Sequence, residues 1–311
     1  MSYRVDRRDF LKAAVGGATA ASLGAFPLAR AGVPAPSIDA AKLTDSLTLF
    51  SGDGGNVVAA RDGDGLALVD GGLTARSQAL AARIQRETGL DRVHMLFNTH
   101  WHPRQTGSNE RLGKERATII AHENTKLWLG YANQVPGENR TYGPLPVYAR
   151  PNKTFYYGTQ EITIGGEPVE YGYLPQAHTD GDIYVHFKKS NVLAAGGVAS
   201  GKGWPVIDVK TGGWIVGMVA GLASLLKVAD AHTQIVPASG PVLTREQLEQ
   251  QHKMLSTVAN RLEHAIRKGL GPEEVLALDP TKEFNAEMGD PTQFTTQAFR
   301  SLWGHFAPDA T

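Results

Sequence analysis

Apolar positions in this chain fall into short runs bounded by Gly, Pro, Asp and Asn, with stretches of helical period between them. The runs at residues 46–50, 56–61 and 66–69 predict strands. Between the last two, Asp62-Gly63-Asp64-Gly65 predicts a hairpin turn with positive φ at its glycines. Over residues 74–88 the period lengthens, with Leu80 and Ile84 on one helical face and Gly89 as the stop. Residues 93–98 predict a buried strand, followed by a second cycle of strand (117–121) and helix (124–131). The stretch 133–153 is rich in Pro and Gly, carries Tyr142 and Tyr148, and predicts a loop folded over a site at the strand ends. Further strands are predicted at 161–164, 169–174, 183–188, 192–195 and 234–236, with a helix over 216–228. Thr244-x-x-Gln247 predicts a capping box for a helix that carries Leu255, Val258, Leu262 and Ile266 on one face and stops at Gly269. Two strand-rich halves, each closed by helices, predict an α/β layered domain with two sheets between helices.

Composition narrows the chemistry. At 311 residues the chain buries a substantial core. Thirty-one basic side chains balance 31 acidic ones, so bulk charge favours neither nucleic acid nor an anionic membrane. Cysteine is absent, which excludes disulfides and thiolate sites and leaves His, Asp and Glu as metal ligands.

Residues 1–31 read as a targeting segment. Arg7-Arg8-Asp9-Phe10-Leu11-Lys12 precedes an Ala/Gly-rich apolar run, and Ala29-Arg30-Ala31 offers a cleavage site after Ala31. The paired arginines resemble a twin-arginine export signal, with Asp6 where Ser or Thr is usual. Gly16, Gly17, Gly24 and Pro27 interrupt the run, so it falls short of a membrane span and no stable anchor is expected after cleavage. The expected mature protein is periplasmic or otherwise exported and carries 26 basic and 29 acidic side chains. Residues 32–44 read as an extended leader, and 45–311 as the domain, closed by helices over about 244–311.

The densest chemistry lies at Asn98-Thr99-His100-Trp101-His102-Pro103-Arg104-Gln105-Thr106-Gly107-Ser108-Asn109. Two histidines two residues apart beside a Gly/Asn turn look like half of a metal site. Taken with Leu68-Val69-Asp70-Gly71-Gly72, Ala177-His178-Thr179-Asp180-Gly181-Asp182, Gly196-Gly197, Trp204-Pro205-Val206-Ile207-Asp208 and Val236-Pro237-Ala238-Ser239-Gly240-Pro241, this stretch resembles the metallo-β-lactamase superfamily. The resemblance runs from about Ser46 to Pro241. It implies an αββα sandwich with the site along one edge.

That family holds two zinc ions with a His-x-His-x-Asp-His motif, a later His, a bridging Asp and a final His. Position by position, the resemblance retains His100, His102 and His178, the ligands of one zinc site. Arg104 stands for the family Asp, Gln105 for the His, Gly197 for the bridging Asp and Ser239 for the final His. Every residue private to the second site is gone. Three imidazoles and a water make a four-coordinate zinc site with one open position, able to generate hydroxide near neutral pH. Asp70 is implied to orient the histidine loop from behind, and Asp182 to steady the loop of His178.

Arg104 acts in two directions. A guanidinium about 6 Å from a divalent ion costs on the order of 5 kcal/mol at an effective dielectric of about 20, before screening. The same charge can hold a substrate carboxylate, sulfate or phosphate, or stabilise an oxyanion. It cannot take a proton, and Gln105 orients a water without deprotonating it. Asp208 reads equally as a residue beside the site and as a turn residue satisfying its own backbone. Ser239 has no neighbouring His to activate it. His94, His122, His186, His232, His252, His264 and His305 take structural readings, and Trp101, Trp204, Trp214 and Tyr142 wall either a pocket or the core. Gly196-x4-Gly201-Lys202 mimics a phosphate loop, but Gly203 stands where Ser or Thr must hold Mg²⁺.

Two functional readings follow. One is an exported mononuclear zinc hydrolase of a small, anionic molecule (an ester, lactone, amide or similar), using metal-bound hydroxide. The other is a catalytically inactive relative that binds a ligand or partner in the old cleft.

Overall fold

The structure, a computed structural model, describes residues 37–52 and 54–306. The export-signal reading of residues 1–31 and the start of the leader fall outside the described residues. The rest of the leader is more ordered than an extended lead-in. Strand β1 (Asp39–Lys42) pairs antiparallel with β2 (Leu47–Ser51) at the sheet edge. Its Asp-Ala-Ala-Lys sequence has no apolar alternation, so only its partner makes it a strand.

From β2 the chain runs antiparallel through β3 (Val57–Asp62) and β4 (Gly65–Val69). Gly63 takes the positive φ of the hairpin, at 61°. Gly65, expected to do the same, is instead the first residue of β4. It is small because a Cβ there would lie 2.8 Å from His94 Nδ1. Helix α1 (Ser77–Thr88), entered through a short 3₁₀ turn and ended by left-handed Gly89, leads to β5 (Val93–Phe97), parallel to β4. Short helices α2 (Pro103–Thr106) and α3 (Asn109–Lys114) precede β6 (Thr118–His122) and α4 (Glu123–Trp128). The stretch expected to be a loop contains a ribbon of β7 (Asn133–Gln134) and β8 (Thr141–Tyr142). It then returns to the first sheet as β9 (Lys153–Phe155), parallel to β6.

The second sheet holds β10 (Thr159–Ile164), β11 (Glu167–Tyr173), β12 (Ile183–Phe187), β13 (Val192–Gly196) and β14 (Gln234–Pro237), the last pair parallel. Helix α5 (Ile215–Val228) connects β13 to β14. Helix α6 (Arg245–Arg267) opens with the reciprocal Thr244–Gln247 capping box. Then come α7 (Pro272–Ala277), α8 (Asn285–Met288) and α9 (Thr292–Phe306).

Three apolar clusters are the three interfaces of a four-layer αββα sandwich. Residues of β3 alternate between them: Val57 and Ala59 join Leu80 and Ile84 of α1 on the outer face, while Val58 and Ala60 face the second sheet. Burial on both faces explains why β3 and β4 read as continuous apolar runs. Between the sheets, Val69 and Phe97 meet Tyr171, Ile183 and Val185. Beyond the second sheet, Leu193 and Ile235 pack on Met218, Leu222, Leu255, Val258 and Phe299 of α5, α6 and α9. The carboxyl ends of β4, β5, β13 and β14 lead into Asp70, His100, Gly197 and Ser239, along the edge where parallel strands commonly deliver ligands.

Candidate metal centre

Immediately after β4, Asp70 takes a φ of 65°, and its carboxylate turns back over the loop that follows β5. It accepts from the Thr99 backbone N–H (2.8 Å) and the Thr99 hydroxyl (2.9 Å). Thr99 Oγ1 in turn lies 3.1 Å from His100 Nδ1. Asp70 thus orients His100 through Thr99. The chain folds back through α2, where the Asn98 side-chain amide donates to the Gln105 carbonyl (3.1 Å). His178 lies on the loop between β11 and β12, which is held by Asp182 accepting from the Thr179 N–H (2.6 Å).

The structure brings His100, His102 and His178 together. All three are buried, and their nearest ring nitrogens lie within 4.8 Å of one another. His178 Nδ1 is 2.7 Å from the Val206 carbonyl, which only accepts, so that nitrogen carries the hydrogen and Nε2 keeps its lone pair. His102 Nε2 is 3.0 Å from Asp208 Oδ2, so its hydrogen sits there and Nδ1 keeps its lone pair. These two lone-pair nitrogens are 3.2 Å apart. Burial pushes the pKa of all three imidazoles down, with His178 and His102 adding charge repulsion at His100. A shared proton is therefore disfavoured, and the facing lone pairs ask for a metal cation.

The surrounding carboxylates agree. Burial raises Asp70 to about 8 against the pull of the Thr99 hydrogen bonds, raises Asp182 well above its usual range, and raises Asp208. None of the three pairs with a Lys or Arg among the described residues. Burial thus favours the neutral form of these carboxyls, and a divalent ion beside the imidazoles would draw them towards the ionised form. Each retained histidine also has an oxygen partner on its outward nitrogen, the arrangement that orients metal ligands.

Asp208 satisfies both of its readings. Its backbone carbonyl accepts from the Thr211 N–H (3.0 Å) and the Gly213 N–H (2.8 Å), making the turn, while its fully buried carboxylate holds His102. It is a positioning residue for His102. Asp208→Ala is expected to lower metal affinity 10- to 100-fold with the fold retained, measured by chelator competition and circular dichroism.

The degenerate positions separate in space. Arg104 is exposed on α2, so solvent screens its charge and reduces its cost to a bound cation. On the β7–β8 ribbon, the Tyr142 hydroxyl donates to Glu138, which with burial pushes its pKa up, and Arg140 stacks on its ring at 5.0 Å. Gln105 is buried beside Gly55. Ser239 is exposed in the turn after β14, its carbonyl pressed against Gly201. At Gly197 a Cβ would lie 2.3 Å from His178 Cδ2, so glycine is what lets this imidazole into place. Trp101 packs edge-on to His102 and bonds Thr211, whereas Trp204 stacks on Phe294 away from the trio.

Two contributors escaped the sequence. Thr99 had only its place before His100 to mark it, and Val206 acts through its backbone, which leaves no side-chain signal.

The sequence model of the metallo-beta-lactamase superfamily matches residues 51–235. No curated protein sequence matches the chain. Among solved structures it is similar to a metallo-β-lactamase from Pontibacter korlensis, at 16% identity and a TM-score of 0.57, covering 71% of this chain and 99% of that one. It is also similar to the metallo-β-lactamase FIM-1 of Pseudomonas aeruginosa in its mono-zinc form, at 13% identity and a TM-score of 0.56, covering 70% and 95%. The sec-alkylsulfatase Pisa1 of Pseudomonas sp. aligns over 87% of this chain and 50% of its own length, at 12% identity and a TM-score of 0.66. With the family match spanning more than half of its length, the chain belongs to the metallo-β-lactamase superfamily.

Proposed function

We propose that the chain is a mononuclear zinc hydrolase acting on a small organic substrate that carries an anionic group. The observation that carries this reading is the 3.2 Å approach of His178 Nε2 and His102 Nδ1, with both outward nitrogens committed to acceptors. His100, His102 and His178 hold the ion. Zinc held there would supply Lewis acidity and a nucleophile available near neutral pH.

The protein's own residues do the remainder. Asp70, Asp208 and the Val206 carbonyl keep the three imidazoles aimed inward, which removes the reorganisation cost of binding an ion. Arg104, at the rim two residues beyond His102, takes the substrate's anionic group in its planar fork. Esters of sulfate or of a dicarboxylic acid are the first class to assay, because the alkylsulfatase neighbour aligns past the catalytic sheets into the C-terminal helices. The N-terminal Arg7-Arg8 segment adds the proposal that this chemistry is exported.

Arg104→Ala tests the assignment. KM for an anionic ester is expected to rise 10-fold or more, with KM for a neutral ester of the same alcohol little changed. An equal loss on both esters would contradict the assignment of Arg104 as an anion contact.

A further inference from the structure

Residues 197–208 leave the metal centre and return to it. Gly197 lies against the His178 ring, the Val206 carbonyl accepts from His178 Nδ1, and the Asp208 N–H donates to the His178 carbonyl (2.9 Å). Trp204 to Ile207 on this excursion and the start of α9 enclose a pocket of about 170 Å³ that none of these contacts fills. Its wall is aromatic on one side. Trp204 and Phe294 stack with ring centroids 4.5 Å apart and planes 14° from parallel, and the Trp204 indole N–H donates to the Gly289 carbonyl (3.1 Å). Val206 belongs to both places, since its carbonyl serves His178 while its side chain, 36% exposed, lines the pocket.

The rest of the lining includes polar side chains, Asp290, Gln293 and Gln297. Gln293 and Gln297 project from consecutive turns of α9. The Gln293 amide packs against Gly137 of the β7–β8 ribbon, where a Cβ would come within 2.5 Å of it. A pocket half apolar and half hydrogen-bonding, sharing Val206 with the His178 loop and reaching the β7–β8 ribbon through Gln293, has the character of a subsite for the organic part of a substrate.

We propose that this pocket seats a ring-sized apolar group, such as a phenyl or a compact branched alkyl, of the molecule whose anionic ester is presented to the His100–His102–His178 site. The size follows from the volume. A cavity of about 150 Å³ holds benzene, and 170 Å³ leaves room for one polar substituent within reach of the glutamines. The aromatic pair supplies a flat face for an aryl ring. This proposal rests on the hydrolase reading for its reacting group, but the pocket's binding of a ring can be measured without turnover.

The test uses the full-length chain, with and without one equivalent of zinc, and the variant Gln297→Trp, which fills the pocket from α9. Phenol and benzyl alcohol are titrated by ligand-observed NMR, and hydrolysis is compared for benzyl and methyl esters of the same anionic acid, whose leaving alcohols are nearly equal in basicity. Saturable ring binding by the wild-type chain, weakened at least 10-fold in Gln297→Trp, is expected with or without zinc. In the zinc-loaded protein, kcat/KM is expected to favour the benzyl ester at least 10-fold, and Gln297→Trp to abolish that preference while sparing the methyl ester. Ring binding without any zinc-dependent hydrolysis would uphold the pocket and sink the hydrolase. Zinc-dependent hydrolysis with no benzyl preference, and ring binding unchanged in Gln297→Trp, would overturn the pocket and leave the hydrolase standing.

Discussion

His178→Ala is expected to strip the protein of metal and of hydrolysis together. The loss should exceed the 10- to 100-fold in affinity that removing a partner behind a ligand costs, because a ligand itself is gone. Only His100 and His102 would remain to face the ion. A thermodynamic signature accompanies it. At free zinc about 1,000 times Kd, wild-type protein gains about 4 kcal/mol of stability from binding, a clear rise in Tm. The variant is expected to show no zinc-dependent rise, although it folds, since the change trims a buried loop residue outside the three apolar clusters. The measurement is differential scanning calorimetry with and without zinc. A variant that kept activity, or kept ligand binding under an inactive-cleft reading, would place the function away from the histidines.

Gly197→Asp restores the bridging ligand that the family resemblance assigns to this position, yet the expected result is a protein that binds no metal. The added Cβ would sit 2.3 Å from His178 Cδ2 and 2.9 Å from Nε2. His178 cannot retreat, because its ring is buried and its Nδ1 is held by the Val206 carbonyl. The substitution therefore drives His178 out of line before the new carboxylate meets any ion. Gly197→Ala separates the steric effect from the charge and should behave alike. Metal stoichiometry by elemental mass spectrometry decides it: a fall from one per chain towards zero is expected, and a rise towards two would contradict the account.

Much of this architecture was legible in the residues. The apolar runs of β2 to β5 and of β12 and β13 mark themselves because both faces of these strands are largely buried, so few polar residues interrupt them. Helices α1, α5 and α6 announce their periods, and Gly89 and Gly269 supply the left-handed stops. What escaped the sequence is structure made by partners rather than by pattern. Strand β1 exists because β2 offers an edge, and the two-residue strands β7 and β8 are too short to show alternation. Helices α2 and α3 are single turns hidden inside a motif dense in polar side chains, many of them committed to the loop behind the histidines.

The candidate site divides in the same way. His100 and His102 carry their chemistry in their side chains and are marked by their spacing, while the family resemblance picks out His178. Asp208 stood even between turn and site because backbone and carboxylate each have a separate partner, Thr211 with Gly213 on one side and His102 on the other. Gly197 read as a lost ligand; in the fold it is also the space into which His178 fits. Arg104 read as a charge set against the metal, and its exposure on α2 weakens that opposition while leaving the guanidinium at the rim.

The central claim is that this trio holds one zinc ion, and metal content tests it most directly. Protein expressed with its own N-terminal segment, purified without chelators and measured by elemental mass spectrometry, is expected to carry close to one zinc per chain. No bound metal, even after incubation with zinc at neutral pH, would contradict the account and leave the cleft as a binding site without hydrolytic chemistry.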